Sequence, residues 1–146
     1  MSEDRPNKPL PNINAVTRPF WSAAAERRLC MPRCRDCAAF TFPPRPSCGE
    51  CGSENLEWTN LSGRGRVYSF TVIRQIVGGP AARAFQRDVP YIVALVDLDE
   101  GPRLTSNVIG CPVDAVTIDM PVEVIFEQAS ADVWLPKFKP ATKPAS

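Results

Sequence analysis

The chain has 146 residues, enough for one domain or for a small module plus a modest one. Its 17 basic and 16 acidic residues leave a formal charge of +1, so nothing drives it globally towards nucleic acid or an anionic membrane. It has no histidine, which excludes Cys-His and Ser-His catalysis and any histidine-ligated metal.

No apolar run approaches membrane-spanning length, and the N-terminal stretch lacks the apolar core of a signal peptide. A cytoplasmic location is expected. Residues 1–17 are polar and contain prolines, which predicts a flexible or partner-draped arm. A helix is expected over 18–31. Pro19 suits its first turn, and Trp21, Ala25 and Leu29 recur at helical spacing with Phe20 and Ala24 beside them. Arg27 and Arg28 would then lie near its C-terminal end, where the helix dipole favours cations. Pro32 ends it near Cys30. So short a helix needs a surface to pack on. Either it packs on its own domain, or Phe20 and Trp21 dock on another subunit.

Residues 32–55 carry two Cys-x-x-Cys pairs, Cys34/Cys37 and Cys48/Cys51, separated by ten residues. Each pair places two thiolates on one side of a tight turn. Four such thiolates can surround one tetrahedral ion, zinc or iron, and leave no position for water, so the metal is structural. Pro43, Pro44 and Pro46 stiffen the spacer. Phe40 and Phe42 alternate about Thr41, as in a small ribbon covering one side of the site. Cys30 and Cys111 are extras, read as small buried hydrophobes.

From residue 56 to 140 the texture is β. LEWTNLSGRGRVYSFTVIRQIV alternates, and Gly63 and Gly65 mark a turn or bulge that opens a strand. PYIVALVDLDEG and PRLTSNVIG form a hairpin; PVEVIFEQA and VWLPKFKPA supply two further strands. About five strands without a long helix predict a small closed barrel of the Greek-key OB type, with an open sandwich as the alternative. Residues 141–146 are a tail.

Charge is unevenly distributed. Between Trp58 and Arg87 there are five arginines (Arg64, Arg66, Arg74, Arg83 and Arg87) and no acid. From Asp88 to Asp132, nine acids face one base, Arg103. Neighbouring strands pairing opposite charges would account for this. So would an anion site, because arginine suits bidentate phosphate contacts. The connection IVGGPAARAFQRDVP adds Phe85 between Arg83 and Arg87, a combination that suits a phosphorylated, ring-bearing ligand.

A Pro-Phe-Trp helix, the four-cysteine ribbon with FPPRPSCGECGS, LEWTNLSGRGRVYSFTV, PYIVALVDLDEGPRLTSNVIGC, MPVEVIFE and LPKFKPA follow one another from residue 19 to 140. Together they resemble the DUF35 family. One departure is Asp119, where that family usually has glycine. The resemblance implies a mainly β chain: an N-terminal helix, a rubredoxin-like zinc ribbon and a five-stranded OB-fold barrel. It implies that Cys34, Cys37, Cys48 and Cys51 are zinc ligands. It further implies a non-catalytic accessory subunit, within a hetero-oligomer, that binds acyl-CoA. The partner would be a thiolase-superfamily enzyme: a thiolase, an acyltransferase or a steroid side-chain aldolase. Lipid, steroid and aromatic acyl-CoA pathways all remain open.

Residues for CoA are read from the arginines and the loop: Arg64, Arg66, Arg74, Arg83, Phe85 and Arg87. The alternative is a single-stranded nucleic-acid-binding OB protein. Such sites stack bases on aromatics in a basic groove, and here only Tyr68, Phe70 and Tyr91 are on offer. A stand-alone enzyme finds no pair of residues at motif spacing.

Overall fold

A computed structural model describes residues 8–141; the expectations placed on residues 1–7 and 142–146 lie outside the described residues. Asn14 prepares the first helix, α1 (Arg18–Ala25). Its Oδ1 accepts the amide N–H groups of Val16 at 2.9 Å and Thr17 at 3.0 Å. Pro19 then occupies the first turn, where its missing N–H is no loss.

The helix stops at Ala25, well before residue 31. Arg27 adopts φ 59°. The amides of Arg27 and Arg28 donate back to the carbonyls of Ala24 and Ala23, each at 2.9 Å. These are the paired bonds of a Schellman cap, with arginine in the left-handed position usually held by glycine. The chain leaves extended. Cys30–Cys34 forms β1, which pairs antiparallel with β2 (Leu56–Asn60). Leu56–Asn60 therefore belongs to the sheet of the ribbon and not to the barrel, and the barrel starts later than residue 56. Alternation reports which face a residue takes, not which strand it joins.

Phe20, Ala23 and Ala24 form the buried face of α1, with Trp21 and Ala25 half-buried. Phe20 is 5% exposed, and its ring meets Trp21 edge-on at 5.0 Å and Phe42 at 5.3 Å. Phe20 thus packs on its own chain, while Trp21 beside it stays half-buried. Phe42 thereby ties the cysteine loop to the helix. Arg27 and Arg28 lie beyond the helix. Arg27 stands 4.1 Å over the Trp134 ring, and Arg28 donates to Asn60 Oδ1 at 2.7 Å.

The remaining strands are β3 (Arg64–Ile73), β4 (Tyr91–Leu98), β5 (Arg103–Val108), β6 (Pro121–Gln128) and β7 (Trp134–Pro140). They close a barrel in the order β3-β4-β5-β7-β6, with β6 returning to β3. All neighbours are antiparallel except β5 and β7, which meet in parallel at Val108 and Phe138. This is the five-stranded OB-type barrel expected. Alternate residues of β4 (Ile92, Ala94, Val96 and Leu98) point into a core shared with Val67, Leu104, Val122 and Phe138. Gly65 opens β3 because no side chain fits: a Cβ there would lie 2.4 Å from the Asp97 carbonyl oxygen. The bulge itself falls further on, between Val67 and Ser69. The connection from β3 to β4 carries a single helical turn, α2 (Pro80–Arg83), and a 3₁₀ turn over Gln86–Asp88.

Asp119 adopts φ 65°, the left-handed conformation in which glycine is most at ease. Its amide donates to the Val67 carbonyl at 2.8 Å, which holds that turn against β3. Aspartate tolerates this region; a β-branched residue does not. Asp119→Val should therefore cost about 1–2 kcal/mol in urea unfolding, and Asp119→Gly about nothing.

Candidate functional site

Cys34, Cys37, Cys48 and Cys51 come together at the end of the β1–β2 sheet, with all four sulfurs within 4.8 Å of one another. Cys34 Sγ lies 3.6 Å from Cys51 Sγ, and Cys37 Sγ 3.6 Å from Cys48 Sγ. A regular tetrahedron of Zn–S bonds places sulfurs about 3.8 Å apart. The donor set fits a closed four-thiolate ion, in which zinc would hold the two knuckles together and leave no coordination position open.

The backbone prepares these sulfurs to carry charge. The amide of Cys37 donates to Cys34 Sγ at 3.4 Å and that of Glu50 to Cys48 Sγ at 3.3 Å. The amides of Cys51 and Glu50 hold the Cys48 thiol down to about 6. Cys37 accepts from the amide of Ala39, yet its proximity to Cys48 pushes it up to about 12. Crowded thiolates oppose one another, and a dication relieves that opposition. Cys30 is buried away from the cluster, as expected of a small hydrophobe. Cys111 is only half-buried and faces a surface groove, unlike the buried residue expected.

The six residues read as ligand contacts do not form one site. Arg64 and Arg74 stand at opposite ends of β3, about 30 Å apart at strand rise. Arg64 lies 4.0 Å from Glu123, and Arg66 donates to the Asp119 carbonyl at 3.3 Å. Arg74 is 3.9 Å from Asp114. Arg103 meets Asp97 across β4 and β5 at 2.5 Å. Pairing between neighbouring elements thus accounts for much of the charge asymmetry. Arg83, Phe85 and Arg87 remain together on the connection between β3 and β4. The same pairing bears on nucleic acid: the Arg103 guanidinium lies 3.6 Å over the Tyr68 ring, covering a face on which a base would stack.

Phe85 borders a groove of about 510 Å³ on the outer face of the barrel. Tyr91 and Val93 of β4, Asn107 of β5 and Lys137 of β7 form its floor, and Lys8 closes it from above. A second hollow of about 450 Å³ adjoins it under Pro9 and Leu10. Lys8 forms an ion pair with Asp88 and sits 5.3 Å over the Phe85 ring. The described end of the arm is thus laid on the barrel. Sequence reading missed this groove because its floor is made of ordinary strand residues from three strands. The one local signal was Phe85 in a polar connection.

Among the described residues, no helix is long and apolar enough to cross a membrane. A family model for the rubredoxin-like zinc ribbon domain of ChsH2 matches residues 21–57, and one for the C-terminal OB-fold domain of ChsH2 matches residues 58–127. A probable enoyl-CoA hydratase alpha subunit of Thermomonospora curvata is 38% identical over 96% of the chain, which spans 43% of that relative's length. A DUF35 domain-containing scaffold protein of Methanocaldococcus jannaschii is 33% identical, covering 73% of this chain and 74% of its own. Among solved structures, the Ltp2-ChsH2(DUF35) aldolase superposes with a TM-score of 0.78 at 38% identity, over 91% of this chain and 100% of that one. Further relatives are named as subunits of benzoylsuccinyl-CoA thiolase.

Proposed function

We propose a scaffold role for this chain, which belongs to the DUF35 family of ChsH2-type proteins, a zinc ribbon joined to an OB-fold domain. In this role it is a non-catalytic subunit. It docks on a thiolase-superfamily enzyme, whether thiolase, acyltransferase or aldolase, and binds the acyl-CoA on which that enzyme acts. The names of the relatives, subunits of a hydratase, of thiolases and of an aldolase, point the same way.

The observation that carries the reading is the joint between the two modules. Helix α1 packs against β1 of the ribbon and β7 of the barrel. Phe20 packs against Phe42 from one side, and Arg27 covers Trp134 on the other. Leu61 donates its amide to the Leu29 carbonyl at 2.8 Å, which fastens the linker as well. Ribbon and barrel are held in one arrangement, as a docking surface shared between them requires. The four thiolates suit that purpose because a closed ion fixes shape and takes no part in a chemical step.

Co-expression with any thiolase-superfamily protein encoded nearby tests this. The two should co-purify in fixed ratio, and turnover of acyl-CoA should rise about tenfold or more over the partner alone. A partner that is fully active alone and does not co-purify would sink the reading.

A further inference from the structure

We propose that the groove beneath Lys8–Leu10 takes the neutral, elongated part of a coenzyme A thioester, its pantetheine and acyl arm, while Arg83 at the mouth receives a phosphate. This rests on the acyl-CoA reading above and places that ligand away from the arginines of β3.

Charge decides the ligand class. Lys8 pairs with Asp88, and Lys137 with Glu127 at 2.7 Å, so two cations face two anions within the groove. A phosphate lodged there would meet as much repulsion as attraction, whereas a chain of methylenes and amides meets neither. Phe85, Tyr91 and Val93 supply the apolar wall. Asn107 donates its amide to the Ile92 carbonyl at 2.7 Å, which fixes the direction of its own carbonyl as an acceptor for an amide N–H. The volume, about 510 Å³, lies within the range of small-molecule sites, about 300–1,000 Å³.

Arg83 lines an adjoining hollow of about 530 Å³ with Lys8 and Pro80, and among the described residues no carboxylate pairs with it. An anionic group at that end would meet the Arg83 guanidinium, which suits bidentate phosphate contact. Lys8 borders all three hollows. Its ion pair is partly exposed, so it holds weakly and is screened by salt.

Two probes separate the parts of the site: decanoyl-CoA, and adenosine 3′,5′-diphosphate, which lacks the pantetheine arm. Titration calorimetry on the full chain would compare wild type, Val93→Trp, Phe85→Ala and Arg83→Gln. Val93→Trp fills the groove from a strand position that accepts a large ring; Phe85 lies outside the barrel, so its loss spares the fold. Each of these two should weaken decanoyl-CoA about tenfold and leave the nucleotide unchanged. Arg83→Gln should weaken both probes. Val93→Trp and Phe85→Ala that bind decanoyl-CoA like wild type would overturn the proposal, as would a larger loss from Arg64→Gln with Arg66→Gln. If wild type binds neither probe, the acyl-CoA reading itself falls, and with it this site, while partner co-purification is unaffected.

Discussion

Cys48→Ser is expected to abolish zinc binding and unfold the ribbon while the barrel stays folded. Cys48 is the buried member of its knuckle, 4% exposed, and its Sγ takes the Glu50 amide at 3.3 Å. Serine keeps the size but not the charge, because a hydroxyl does not ionise where a thiol held down to about 6 does. Structural zinc contributes on the order of 10 kcal/mol to modules of this size, more than their small cores supply. Elemental analysis should find about one zinc per chain in wild type and almost none in the variant. Proteolysis should become rapid between residues 34 and 51. Acid acts in the same direction, since protons compete with the metal for thiolates and zinc retention falls as pH falls. Partner docking should be lost with the ribbon. A variant without metal that docks normally would show that the ribbon is not the clip proposed for it.

The metal centre was legible in the sequence because its information is local. Two Cys-x-x-Cys pairs state their own geometry, and the absence of histidine restricts the donor set. The barrel strands were legible for a similar reason: β4 reads as strict alternation, and the turn at Gly101 supplies the hairpin. Pairing was not legible. Leu56–Asn60 alternates as well as any barrel strand, yet joins Cys30–Cys34, because periodicity carries no partner label. The helix end was misread because arginine, not glycine, holds the left-handed cap at residue 27. The opposite occurs at Asp119: the departure from glycine stood out in the sequence, and the structure keeps the left-handed turn all the same.

The ligand face was the least legible part. A row of arginines in sequence is not a cluster in space when a ten-residue strand separates its members. The acids that pair with Arg64 and Arg74 arrive from Glu123 and Asp114, far along the chain. The groove needs Lys8, Phe85, Asn107 and Lys137 at once, four positions that no window contains.

Phe138→Ala should destabilise the barrel by about 3–5 kcal/mol, most of what a domain of this size possesses. Phe138 is fully buried, and its place in the topology makes it costly to lose. β7 bridges β5 and β6, and Phe138 is the residue at which it meets both: Val108 in parallel and Val124 antiparallel. Its carbonyl also accepts the Ile109 amide at 2.7 Å, the bond that fastens the end of β5. Truncation leaves a cavity at the strand that closes the barrel, and the neighbouring strands, fixed by their own ladders, cannot collapse to fill it. The melting temperature should fall by about 10–15 °C, and Phe138→Leu should recover most of that loss. Below the new midpoint the variant should still hold its zinc, because the four thiols belong to the β1–β2 end. The two variants therefore separate the modules, one losing metal with an intact barrel, the other keeping metal over a weakened one. If Phe138→Ala released zinc at temperatures where the barrel remains folded, helix α1 would be transmitting far more than the packing of Phe20 and Arg27 implies.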